Sequence, residues 1–247
     1  MDKETNTIYK GVASIKYLNS GAAEYLYSLR DNQYDNFIDL LAQIEEDRQI
    51  NSRQMEILIQ LQYFDEFGKN KKLLEIYRYF KNLYGRKTIA KDKLEDLGLA
   101  PEDIIGCYEK ETEKQYVNVD YMKILANVEA RIPNEIVPIT EQVLFETDVV
   151  GYISAVYDVD KNYCLVTDVN TKYSPRVTLY SLGTGKEVGC KINKAMFNQT
   201  PFKRGQLIKC GRFYEKFKQR KTENGWEQTD IKEWWLESYE LIEDLKL

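Results

Sequence analysis

The stretch QLIKCGRFYEKFKQ, residues 206–219, alternates on a two-residue beat. Arg212, Tyr214, Lys216 and Lys218, with Arg220 just beyond, fall on one face, and Phe213 and Phe217 on the other. A strand with this pattern turns its phenylalanines toward a core and displays a basic stripe that contains one tyrosine. Four further runs share its character: VVGYISAVYDVD (149–160), YCLVTDVN (163–170), RVTLYSL (176–182) and EWWLESYELI (233–242). All are rich in β-branched and aromatic residues, and turn chemistry such as Asp160-Lys161-Asn162 and Asn224-Gly225 separates them.

Five strands suit a small barrel. Between the third and fourth runs lies GTGKEVGCKINKAMFNQTPFKRG (183–205), where a five-stranded oligonucleotide-binding (OB) barrel carries a helix or long loop, so an OB-fold is preferred to a sandwich. The charge is uneven along this half. The whole chain carries −5, yet residues 186–221 hold eleven Lys/Arg against Glu187 and Glu215, a surplus of nine. Cations interleaved with aromatic rings are what a single-stranded nucleic acid needs, since charge follows the phosphates and flat rings stack on bases at about 1–3 kcal/mol each. The candidate contacts are Tyr163, Tyr173, Arg176, Lys191, Lys194, Arg212, Tyr214, Lys216, Lys218 and Arg220. The alternative is an edge strand whose lysines block aggregation.

Upstream of about residue 146 the period changes to three and four. Ile15, Leu18, Ala22, Leu26 and Leu29 form one amphipathic series; Phe37, Leu40, Leu41 and Ile44 a second; Met55, Leu58 and Ile59 a third; Leu73, Leu74, Tyr77 and Phe80 a fourth. Asn51 followed by Gln54 reads as an N-cap, and Gly68, Gly85 and Pro101 punctuate the connections. The expected fold is α+β: an all-α region over 1–85, a helical connector over 86–145, and the five-stranded OB barrel over 146–247.

Composition removes much chemistry. The chain of 247 residues contains no histidine, and so lacks the commonest general base and metal ligand. Cys107, Cys164, Cys190 and Cys210 have no CxxC spacing and read as reduced packing residues. Gly-rich phosphate loops and paired strand aspartates are missing, so no catalytic residue, metal or cofactor is expected. No apolar run approaches the roughly 18 residues of a membrane span, and MDKETNTIYKG is too polar for a signal peptide, which gives a cytoplasmic expectation with no membrane partner.

SIKYLNSGAAEYLYSL, residues 14–29, reads as a short helix, a break at Asn19 to Gly21, and a second helix that opens on two alanines. A turn opening directly into a helix N-terminus aims backbone N–H groups at one phosphate. The surrounding ASIKYLNSGAAEYLYSLRDNQYDNFIDLLAQI (13–44) resembles the helix-hairpin-helix segment of the alpha subunit of bacterial DNA polymerase III, with Arg30, Phe37 and Asp39 in matching places. INSRQMEILIQLQYFDEFGKNKKLLEIY (50–77) resembles the next element, matching at Asn51, Arg53, Leu58, Ile59, Phe64, Asp65, Phe67 and Gly68. EQVLFETDVVGYIS (141–154) is similar to the lead into that subunit's OB domain. The family's hairpin usually carries glycines where this chain has Tyr17 and Asn19; asparagine adopts positive φ readily and tyrosine only at a cost.

The resemblance implies a non-catalytic, DNA-binding part of a replicative polymerase. Its hairpin would grip the backbone of primer-template duplex through Lys16, Asn19, Ser20 and Gly21, and its OB domain would hold single-stranded template. The magnesium-binding palm of the family lies outside this sequence, so a fragment or a split subunit without activity of its own is implied, with other replisome subunits as further partners. Two alternatives stand beside this reading: a protein-interaction module of the replisome and an RNA-binding OB protein. QLQYF (60–64) superficially resembles a clamp-docking peptide, but Leu61 and Phe64 match core positions and read as core.

Overall fold

The computed structural model describes residues 11–153, 156–223 and 225–243. The chain divides into two compact units, Met1–Val137 and Pro138–Leu247.

The first unit opens with four helices: α1 (Ser20–Ser28), α2 (Phe37–Asp47), α3 (Ser52–Gln60) and α4 (Asn70–Leu83). Asparagine caps the first three. Asn19, Asn36 and Asn51 accept hydrogen bonds from the amides of Ala22, Asp39 and Gln54, and Gln54 returns a bond to the Asn51 N–H, completing a capping box. The four apolar series bury Ala22, Leu26, Phe37, Leu41, Leu58, Ile59, Leu73 and Phe80. Phe37 lies 5.6 Å from Phe64 and 5.8 Å from Phe67, so Phe64 of QLQYF is a core residue, as its spacing suggested.

The segment 86–145, expected as a helical connector, contains an antiparallel sheet. Strands β1 (Thr88–Ala90), β2 (Tyr108–Glu111) and β3 (Gln115–Val119) pair in the order β1-β3-β2, with the short α5 (Pro101–Ile104) between the first two and α6 (Tyr121–Arg131) after the third. The strands are short and mostly exposed on one side, so they carry little apolar alternation by which a sequence reading could find them. Arg131 fastens α6 to α5: its Nε and Nη2 each donate to a carboxylate oxygen of Asp103 at 3.0 Å, and Nη2 also reaches the Gly98 carbonyl at 3.0 Å. Buried Asn70 ties the end of the unit to α4, accepting from the Val137 amide and donating to the Gln60 carbonyl.

The second unit begins with α7 (Ile139–Val149) and continues as β4 (Tyr163–Asn170), β5 (Arg176–Ser181), β6 (Glu187–Ile192), α8 (Lys194–Gln199), β7 (Leu207–Cys210), β8 (Phe213–Thr222), β9 (Gly225–Leu236) and β10 (Tyr239–Ile242). The strands form one mixed sheet in the order β10-β7-β4-β5-β6-β9-β8, in which only β6 and β9 run parallel. The sheet curls into a half-barrel, and the connectivity requires the curl. Five strand spacings separate β7 from β8, about 24 Å in a flat sheet. Only Gly211 and Arg212 join the two strands, a reach of at most about 11 Å. Gly211 sits at this corner against Ser238, where an added Cβ would collide with the serine hydroxyl.

The α+β class is as expected, but the strand count differs. Seven strands replace five: the fourth run breaks at the corner into β7 and β8, the fifth divides into β9 and β10, and β6 emerges from the stretch read as a helix or long loop. The first run is not a strand among the described residues. Val149 closes α7, residues 154 and 155 lie outside the described residues, and Tyr157 meets the sheet by one amide bond to Leu182. The core lies on the inner face, where Cys164, Val166, Val177, Leu179, Cys190, Ile192 and Leu236 pack together; α7 contributes Val143 to a second cluster with Leu165, Tyr180 and Leu207.

Candidate nucleic-acid interface

The outer face of the half-barrel carries a continuous row across five strands. Registered pairs run Asn170↔Arg176, Arg176↔Lys191, Lys191↔Trp235 and Trp235↔Tyr214, and directly paired residues point to the same side of a sheet. Chain segments 65 residues apart in sequence thus place two cations and two aromatic rings in one line. The Tyr214 and Trp235 rings stack at 6.5 Å with 22° between planes. Lys216, two residues along β8, brings its ammonium to 4.8 Å from the Trp235 ring centre, and Lys191 comes to 5.5 Å. Lys191 also pairs with Glu233 at 2.6 Å. The Trp235 indole N–H is buried without an acceptor among the described residues, a condition that costs about 1–3 kcal/mol and is uncommon in a settled core.

Two hollows flank the row. One, of about 390 Å³, is lined by Asp168, Thr178, Gly189, Lys191 and Glu233 among others. The second, of about 370 Å³, lies between Lys172, Tyr173, Arg176 and Lys191.

Of the residues expected from sequence, Arg176, Lys191, Tyr214 and Lys216 come together, with Tyr173 at their margin. The others do not. Tyr163 lies at the far end of β4, packed on the second core cluster beneath Lys209. Lys194 begins α8, and Arg212 stands at the corner, 3.7 Å from Glu237. Lys218 and Arg220 lie farther out on β8, where its only partner among the described residues is β9, because β9 meets β6 at just two registered pairs. That exposed ribbon also corrects the reading of Phe217. The alternation placed it opposite the basic stripe, but among the described residues no layer covers this part of the ribbon, and Phe217 remains 44% exposed. Phe213, nearer the barrel, packs against the core. Trp235 was missed in sequence, where its place in the aromatic run EWWL was the available signal.

The helical unit presents a different surface. Val12–Ser14 is one turn of 3-10 helix, the chain reverses over 15–18, and α1 begins at Ser20, so Ser20 and Gly21 belong to the helix and the break lies upstream of its expected place. Tyr17 takes the left-handed conformation, φ 72°, which a non-glycine residue adopts at a cost of roughly 1–2 kcal/mol. Three contacts hold it there. The Arg53 guanidinium lies 3.5 Å from its ring centre and the Lys16 ammonium 5.1 Å, while the Gln54 amide donates to its carbonyl. A hydrogen bond from Lys16, helped by the charges of Lys16 and Arg53, draws the Tyr17 phenol below its ordinary pKa. Asn19 commits its side-chain oxygen to the Ala22 amide, leaving the amides of Ser20 and Gly21 as helix-end donors without intrahelical acceptors. Lys16, Arg53 and these two amides therefore surround one small basic surface.

Residues 1–74 match the family model of the helix-hairpin-helix motif. This region supports binding to nucleic acid in general, and nothing in the match is specific to the polymerase III alpha subunit. No curated protein and no solved structure matches the chain. Among the described residues no cluster of His, Cys, Asp and Glu could hold a metal ion, and no helix is long and apolar enough to cross a membrane.

Proposed function

We propose that the chain is a DNA-binding module with two contact surfaces, and that it serves as an accessory part of a replicative polymerase of the polymerase III alpha type. The helix-hairpin-helix region meets duplex backbone at Lys16, Arg53 and the first amides of α1. The half-barrel, read as an OB domain, takes a single strand along the row from Asn170 to Tyr214. That row is the observation that carries the reading: Arg176 and Lys191 follow phosphates, and Trp235 and Tyr214 offer the stacking surface. The order of parts, a helical hairpin region before a curled sheet, supports the polymerase assignment. No nucleotidyl transfer is assigned to this chain.

The test is fluorescence anisotropy with a labelled single strand and a matched duplex over a salt series. With about four cations engaged (Lys172, Arg176, Lys191 and Lys216), log K for the single strand falls against log[salt] with a slope near −2.8. Arg176→Glu combined with Lys216→Glu abolishes most single-strand affinity and spares the duplex. Lys16→Glu with Arg53→Glu does the reverse. A flat salt response, or affinity unmoved by both double variants, refutes the assignment.

A further inference from the structure

Gly189 occupies the middle of β6, facing outward beside Lys191, in a position the fold does not reserve for glycine. Its φ is not positive, and an added Cβ would meet nothing within 4 Å. Glycine weakens a strand interior and marks a bulge, a tight bend or the close approach of another group; the β5–β6 register runs without a shift, and the space over Gly189 is open to a group that approaches the backbone. Gly189 lies on the floor of the hollow of about 390 Å³. On one side its registered partner is Thr178, which pairs in turn with Asp168. On the other side stands Glu233, already engaged by Lys191. Asp168, by contrast, is exposed and has no ion pair among the described residues. The next row supplies Arg176 and Lys191, so a phosphodiester held there carries its bases past the hollow.

We infer that this hollow takes one base of the bound strand and prefers guanine. The inference rests on the single-strand reading of the row and specifies what the row selects. A free carboxylate accepts two parallel hydrogen bonds, and the pairing edge of guanine offers two adjacent donors, the ring N1–H and the exocyclic amine. Thymine has one ring N–H between two carbonyl oxygens, which meet a carboxylate with like partial charge. Cytosine, with a single amine donor, is intermediate. The absent side chain at Gly189 lets the base edge reach Asp168, and a larger residue there closes the way.

The experiment compares labelled strands about 15 nucleotides long. One is oligothymidine, one carries a few deoxyguanosines in place of thymidine, and one carries deoxyinosine, which lacks the exocyclic amine, at the same places. The wild-type chain is expected to bind the guanine strand about ten-fold tighter than oligothymidine, with inosine between them. Asp168→Asn and Gly189→Val each bring the guanine strand to the level of oligothymidine while oligothymidine affinity stays within about two-fold. Neither change disturbs the fold, since one is isosteric and the other points into open space; a far-UV spectrum equal to wild type verifies this. Equal wild-type affinity for all three strands, lost together in the Arg176→Glu/Lys216→Glu variant, overturns the guanine slot and leaves the row standing. A guanine preference that survives both Asp168→Asn and Gly189→Val also overturns it. No wild-type binding to any strand at low salt removes the row and the slot together.

Discussion

Removing the guanidinium of Arg131 should destabilise the helical unit more than any surface change of similar size. The Asp103 carboxylate it serves is only 4% exposed, and after Arg131→Ala that carboxylate keeps one strong donor, the Ala100 amide at 2.8 Å. Two bonds at 3.0 Å to the carboxylate, one to the Gly98 carbonyl and one at 3.1 Å to the Tyr79 hydroxyl are lost together. Stripping one partner from a buried pair costs about 3–5 kcal/mol. The Arg131 side chain is itself 43% exposed, so water reaches the gap, and the expected loss falls to about 2–3 kcal/mol. At a urea m-value of about 2 kcal/mol/M this lowers the midpoint by roughly 1–1.5 M. Helical circular dichroism follows the unit concerned. All three tryptophans (Trp226, Trp234 and Trp235) lie in the other unit, so their fluorescence gives a separate transition as a control. Adding Asp103→Asn should recover about half of the loss, because the neutral amide tolerates burial. A shift in Arg131→Ala below about 0.5 kcal/mol, or no recovery in the double variant, refutes the argument.

Three smaller tests follow from the same geometry. Asn51→Ala removes the bond from the Gln54 amide to the Asn51 side chain, leaves the backbone N–H of residue 51 bonded to the Gln54 side chain, and should cost about 1 kcal/mol in urea melts, whereas Asn51→Ser should cost much less. All four thiols are buried; burial pushes Cys190 up to about 12 and raises Cys107, so at pH 8 these two are protonated. A hydrogen bond from Cys210 draws Cys164 below the ordinary thiol value, so for that residue burial alone withholds the thiol; with all four inaccessible, a chromogenic disulfide reagent at pH 8 should find no fast thiol in the native chain and four in denaturant. Gly211→Val forces a side chain into Ser238 at the β7–β8 corner and should lower the tryptophan-reported midpoint, while Gly85→Ala, whose Cβ has open space, acts only through its positive φ and leaves that transition unmoved.

The helices were legible because each buries one stripe, so the spacing of Phe37, Leu40, Leu41 and Ile44 mirrors the face that α2 presents to the core. β4 and β5 were legible as short runs rich in β-branched and aromatic residues, buried on both faces over much of their length. β6 was missed although it alternates: Val188, Cys190 and Ile192 turn to the core while Glu187, Gly189 and Lys191 face outward, but glutamate, glycine and lysine are poor strand formers and the segment reads as loop until it pairs with β5 and β9. The row at the interface was half visible. Arg176, Lys191 and Tyr214 could be nominated singly as cations and rings, but their alignment is a property of register between strands, which no local pattern encodes. Phe217 failed in the opposite way, since alternation fixes a direction and says nothing of whether anything stands there.

The pairing of β6 with β9 has a kinetic consequence. Lys191 finds Trp235 only 44 residues later, and Leu165 finds Leu207 after 42, whereas the helices of the first unit are made from neighbours in the chain. Non-local pairings close slowly, so the half-barrel should be the late-folding part. During synthesis at about 5–20 residues per second, roughly 2–9 s separate the emergence of Ile192 from that of its partner Leu236. Throughout that interval β6 waits with an open edge, and the cations clustered over residues 186–221 keep that edge from pairing with another chain before its own partner arrives.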